Sequence, residues 1–173
     1  MKNRKDTYQP QTEELPVVQE AALAYNFSEK NATGPLALMG LEGNRNIDNI
    51  QNTSDFINYI REGVPKKSLD HLALEIGLSA SEIAAVIHTS ERTLRRYTPA
   101  QKLNTEQSER VVELARLYAK GAEVFGDLEQ FKAWMASPVG ALGDKKPKEF
   151  LDTSMGIGML TEELGRIEHG IFA

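Results

Sequence analysis

Residues 79–97 read SASEIAAVIHTSERTLRRY. They predict two short helices joined by a tight turn. Ser79 and Glu82 make a capping box, in which each side chain satisfies a free amide at the start of a helix. Ile83 and Ile87 share one face, four residues apart, and the small Ala84 lets a second helix cross close by. Ser90 followed by Glu91 is a fresh N-cap, and Leu94 and Tyr97 give the second helix a buried edge. Its outward positions are then Ser90, Glu91, Arg92, Arg95 and Arg96, a row of cations and hydrogen-bonding groups. This is the pattern of a helix-turn-helix whose second helix is free to read DNA. His88 stands where such a turn usually has Gly, so a strained or altered turn is expected. A helical pair with a merely solvated basic face would explain the same charges.

Working outward, Thr53 or Ser54 is placed to cap DFINYIRE, with Phe56, Tyr59 and Ile60 on one side and Gly63 and Pro65 ending the helix. Ser68 opens LDHLALEI, where Leu69, Leu72, Ala73 and Ile76 follow the spacing of a buried stripe. Gly77 closes it. Four short helices between residues 53 and 98 are about the minimum that buries a common core.

Downstream, Thr98-Pro99 stops the second helix of the pair. A long helix runs from Asn104 or Thr105 to Phe125, with Val111, Leu114, Ala115, Tyr118, Ala122 and Phe125 on one face. Gly121 inside it weakens the helix by up to about 1 kcal/mol relative to Ala, which points to a close helix contact. After the cap at Gly126, Asp127 and Gln130 open LEQFKAWM, with Leu128, Phe131 and Met135 on one edge, and Ser137-Pro138 ends it. VGALGDKK reads as a loop, Pro147 as the first turn of a further helix KEFLDT. Leu160, Leu164, Ile167 and Ile171 mark a last amphipathic helix that stops near Gly170. No stretch alternates as a strand, so the chain is expected to be all-α.

Ahead of these helices, residues 1–16 are polar and aperiodic, as in a mobile tail. VVQEAALAY at 17–25 has the length of two helical turns. The first fifty residues read as an appendage, although Leu36, Leu38, Met39 and Leu41 are apolar enough to dock on a core.

The 173 residues are enough for one domain or two small ones. A net charge of −5 excludes DNA binding by bulk positive charge, so any DNA contact has to be local. With no cysteine, disulfide scaffolds, thiolate metal sites and cysteine nucleophiles are excluded. No apolar run approaches a membrane span and the opening MKNRKDTYQPQTEE lacks a signal-peptide core, so a soluble cytoplasmic protein is expected.

Catalytic constellations are poor. His71, His88 and His169 are scattered, without a partner at metal-ligand spacing, and no metal or cofactor is expected. Asp152, Ser154 and His169 have the residue types of a hydrolase triad, but Ser154 lacks the strand-to-helix elbow such a nucleophile needs. The GIG at Gly156–Gly158 has no preceding strand and no third glycine, which argues against NAD binding by this chain. Trp134 in an amphipathic helix reads as a core or interface anchor. The chain is not expected to be an enzyme or to take a small-molecule substrate.

The run LNTEQSERVVELARLYAKGAEVFGD, followed by FKAWMASPVGALGDKKPKEFLDTSMGIGMLTEELGRIEHGIF, resembles the toxin-binding domain of the Xre/MbcA/ParS antitoxins. Ser-Glu-Arg near the start of the long helix, then EVFG, W, SP, ALG, P, FLDT, G and a terminal RIEHG come one after another in that family's order. The helix-turn-helix with SERTLRR is similar to the Xre half. The resemblance covers roughly residues 53–173 and implies an N-terminal extension over 1–52, a DNA-binding domain over 53–103 and a toxin-binding domain over 104–173. It further implies an antitoxin that blocks a RES-domain toxin, an NAD-degrading enzyme, and represses the shared operon. A homodimer would present two recognition helices to a palindromic operator. In this family the C-terminal end approaches the toxin's active-site entrance, which here singles out Arg166, His169, Gly170, Ile171, Phe172 and Ala173. Ile171 and Phe172 are apolar residues at a chain end beyond a helix-stopping Gly, consistent with insertion into a partner or with folding back on their own core. A plain dimeric regulator without a toxin, and an adaptor without DNA contact, share the same residues.

Overall fold

The computed structural model describes residues 34–41 and 53–170. The chain is all-α: among these residues there are eight α-helices, two 3-10 turns and no strand. We number them α1 (Pro35–Leu38), α2 (Thr53–Glu62), α3 (Lys66–Ile76), α4 (Ala80–Val86), α5 (Glu91–Arg96), α6 (Thr105–Phe125), α7 (Leu128–Ala136) and α8 (Ser154–Glu168), with 3-10 turns at Gly140–Leu142 and Pro147–Phe150.

The local signals act where the sequence puts them. Ser79 and Glu82 close a reciprocal capping box on α4, Asn104 and Gln107 do the same for α6, and Asp127 caps α7. Gly77 and Gly126 end α3 and α6 in the left-handed conformation, where a side chain would strain the backbone. Gly121 faces the ring of Phe131, which fills the space a Cβ would need, so the helix tolerates a poor former for the sake of close α6–α7 packing. Phe131 is fully buried and stacks on Trp134, with Phe125 and Tyr118 around it, so Trp134 sits at the rim of the core.

Four expectations are corrected. α2 already contains Thr53 and Ser54, so neither is its cap. α3 starts at Lys66 rather than at Ser68, because the carbonyls of Gln101 and Pro99 take the amides of Lys66 and Lys67 and so cap the helix from a distant segment. Ser68 lies buried inside the first turn instead. KEFLDT is not a helix: Pro147 opens a 3-10 turn that stops at Phe150, and Thr153 caps α8 directly afterwards. Finally, residues 34–41 are no mere appendage, for Leu38, Met39 and Leu41 are buried in the common core, α1 packs on α6 and α3, and the His71 ring donates to the Leu38 carbonyl at 3.1 Å. The stretch 17–25 lies outside the described residues.

The long helix α6, about 31 Å at 1.5 Å per residue, is the axis. It packs against α7 and α8 and also against α1, α2 and α3. One contiguous apolar cluster runs from Leu38 through Leu72, Ile83 and Leu114 to Leu164, so both halves of the chain share a core.

Candidate functional site

The turn between α4 and α5 is built around His88. Its φ is +51°, the left-handed conformation that the usual glycine of this turn adopts freely and that a side chain adopts at a cost. The expected strain is therefore present, and the ring is used. Nε2 donates to the Asp152 carbonyl at 2.8 Å, and Nδ1 lies 3.3 Å from Glu106 Oε1. Both ring nitrogens face acceptors, an arrangement only the imidazolium satisfies. The Asp152 carbonyl first, and then the Glu106 carboxylate, raise the His88 pKa above its ordinary value.

Beyond this turn, Ser90 caps α5 by accepting the Thr93 amide at 3.0 Å, and Leu94 is buried and Tyr97 half-buried, the edge the sequence predicts. The outward row divides into two kinds of arginine. Arg95 is tied to Glu91 one turn earlier. Arg92 and Arg96 are exposed and make no ion pair among the described residues. Being four apart, they share one face of α5. Ser90 and Glu91 are thus engaged within the helix, one as cap and the other as partner of Arg95, and the unengaged charge rests on Arg92 and Arg96.

Two further contacts tie this helix pair to the C-terminal half, and a third ties the α2–α3 connection to α6. Arg110 is only 4% exposed, yet Nε donates to the Val86 carbonyl at 3.1 Å, Nη2 to the Leu151 carbonyl at 2.7 Å, and Nη1 to Glu113 and to Ser154 Oγ at 2.9 and 2.8 Å. Lys148 Nζ meets Glu82 Oε1 at 2.9 Å. Glu82 is held down to about 2, chiefly by the Ser79 amide, then by the Ser79 hydroxyl and by Lys148. Ser108, fully buried, accepts the Val64 amide at 2.9 Å. In the sequence, Ser108 and Arg110 stand out only as letters of a family pattern. A bare signal exists for Arg110, since it falls one turn before Leu114 on the apolar face of α6, where an arginine has to find partners.

At the other end, Arg166 pairs with Glu163 at 2.9 Å and His169 turns back to the Gly165 carbonyl at 2.8 Å. Both are exposed, and Gly170 has a φ of +66° just past α8. Lys120 of α6 holds the end of the helix through Glu168 at 2.9 Å. Ile171, Phe172 and Ala173 lie outside the described residues. A groove of about 760 Å³ runs between α6 and α8, bounded by Pro35, Lys120, Ile157 and Gly158.

Of the triad residue types, Ser154 is engaged by Arg110 and Glu113 and His169 by its own helix end, while Asp152 gives His88 its backbone carbonyl and not its carboxylate. Gly156 is a packing glycine, since the Phe150 carbonyl stands where its Cβ would be. No group of three His, Asp or Glu able to hold a metal is present among the described residues, and no helix among them is long and apolar enough to cross a membrane.

Comparison with known proteins gives two family matches, "Antitoxin Xre-like helix-turn-helix domain" over residues 55–116 and "Antitoxin Xre/MbcA/ParS C-terminal toxin-binding domain" over residues 120–170. The chain is 29% identical to an Antitoxin Xre of Yersinia enterocolitica over 119 residues, which span 68% of this chain and 80% of the relative. It is 28% identical to an Antitoxin Xre of Photorhabdus laumondii, over 65% of this chain and 77% of that one. A protein of Sphingobium sp. named Prs ADP-ribosylating antitoxin is 29% identical, over 69% of this chain and 81% of its own.

Proposed function

This chain belongs to the Xre/MbcA/ParS family of antitoxins, carrying both its helix-turn-helix and its toxin-binding domain, and from that premise we propose that it neutralises an NAD-consuming toxin of the RES class and represses its own operon as a homodimer. The domain limits we assign are 1–52, 53–103 and 104–173. The protein acts by binding and not by catalysis, in the cytoplasm. The observation that carries the DNA half is the pair Arg92 and Arg96, exposed on one face of α5 with no carboxylate paired to them among the described residues. Ser90 and Glu91 hold the start of that helix, and Arg95 stands beside the pair. The toxin half is supported by the matched toxin-binding domain. ADP-ribosyl transfer draws on NAD as NAD degradation does, so the name of the Sphingobium relative supports a partner with NAD in its active site.

We assign the toxin contact to the end of α8 and the residues beyond it, Arg166, His169, Gly170, Ile171, Phe172 and Ala173. The test is co-expression with the product of the adjacent reading frame, reading growth and cellular NAD. The full chain should restore both. A chain lacking residues 171–173 should keep its helicity and melting temperature and lose the protection; retained protection would remove the assignment, and failure of the full chain to protect would remove the reading. On DNA, Arg96→Ala should weaken operator binding by roughly 1 to 3 kcal/mol, the range for a bidentate base contact.

A further inference from the structure

The chain is acidic overall, yet its charge is divided. Residues 61–70 and 91–102 hold seven Lys or Arg against three Asp or Glu, a local charge of +4 in a molecule of net −5. These two stretches lie together in the fold. The segment that leaves α5 returns alongside the α2–α3 connection: the Lys67 amide donates to the Pro99 carbonyl at 2.9 Å, the Lys66 amide to Gln101 at 2.8 Å and the Leu103 amide to Val64 at 2.9 Å. Lys67 is thereby fixed against Pro99, three residues and at most about 11 Å of chain beyond Arg96. Lys102 lies in the same strip, paired across a bridge with Pro65.

The cations of this shoulder differ in their freedom. Lys66 is bound to both oxygens of Asp70 at 2.7 and 2.6 Å. Lys67 is exposed and makes no ion pair among the described residues, and Lys102 has only a 3.6 Å contact with the exposed Glu62. By contrast α4, the helix that in such motifs crosses the DNA backbone, contains no Lys or Arg, and its single charge is Glu82. Something other than α4 has to supply the charge that meets phosphate.

We propose that Lys67 and Lys102 contact DNA phosphates beside α5, forming a backbone-gripping shoulder outside the helix-turn-helix itself. The inference rests on the DNA-binding reading above. Phosphate contacts of this kind fix the register of the reading helix and carry no sequence information of their own.

The salt dependence of binding measures them, because each phosphate neutralised on duplex DNA contributes about −0.9 to the slope of log K against log salt. The probe is a labelled duplex from immediately upstream of the protein's own reading frame, titrated with the full chain and with Lys67→Gln/Lys102→Gln. The double variant should lose about two units of slope per bound protomer, so about four for the homodimer, and weaken equally on the upstream duplex and on random DNA. Lys67→Arg/Lys102→Arg should restore the slope, and Lys132→Gln, on α7 beside Gly77 at the opposite end of α3 from Lys67, should leave it unchanged. Both substituted lysines are exposed, so circular dichroism and melting should stay as in the parent chain. An unchanged slope in the glutamine variant, with the parent still bound, overturns the shoulder and leaves the DNA reading standing. A parent chain that does not retain the duplex even at low salt overturns both.

Discussion

Arg110 is a charged side chain with almost no access to water, and each of its three guanidinium nitrogens has a partner. Its acceptors come from α4, from α6 itself and from the segment around Leu151, so one side chain joins three parts of the chain. Replacing it by Ala leaves the buried carbonyls of Val86 and Leu151 without donors, at about 1 to 3 kcal/mol each. The expected loss is about 2 to 6 kcal/mol by denaturant titration. Arg110→Lys should recover less than half of it, because one ammonium cannot reach carbonyls that a planar fork reaches from two sides. A neutral effect of Arg110→Ala would mean that the partners rearrange to water. Residue-scale features of this kind are only partly legible in the sequence. The position of Arg110 on an apolar stripe is visible there, but its acceptors lie 24 and 41 residues away, and no local pattern names them. His88 is legible as a misfit in its turn, whereas its use as a bridge to Asp152 depends on the approach of α8's leading segment.

At the level of elements, caps and stops are readable because they act within four residues: the box at Ser79, the helix start at Asn104, the cap at Asp127, the glycine at 126 and the proline after Thr98 all lie where expected. Starts set by distant groups are not. The beginning of α3 is fixed by carbonyls past α5, and Pro147 opens only a 3-10 turn before Thr153 starts the next helix. The α1 segment shows the same limit. Its four apolar residues suggest docking, but only packing reveals that Leu38 is 2% exposed, and that Gly40, at a φ of +62°, lies too close to the His71 ring for any Cβ. Leu38→Ala should therefore cost about 2 to 5 kcal/mol, the range for a leucine removed from a packed core. A chain beginning at residue 53 should lose stability by at least as much. If that shortened chain melts with the full one, α1 is a lid on the surface of the core and not part of it.

For the molecule as a whole, the two matched domains meet within one helix. The helix-turn-helix match ends at residue 116 and the toxin-binding match starts at 120, both inside α6. A helix unfolds cooperatively, since breaking it in the middle forfeits hydrogen bonds on both sides of the break and creates new unsatisfied ends. It is packed by elements of both halves, α1, α2 and α3 from one and α7 and α8 from the other, around a single apolar cluster. His88, Arg110 and Lys148 add polar contacts across the same boundary. Neither half can then melt without exposing core residues of the other. Calorimetry of the free protein should show one transition, with the calorimetric and van't Hoff enthalpies equal. Arg110→Ala should move that transition down as a unit and not split it. Two resolved transitions in the parent chain would mean that α6 breaks between residues 116 and 120, with the helix-turn-helix and toxin-binding domains folding as separate bodies.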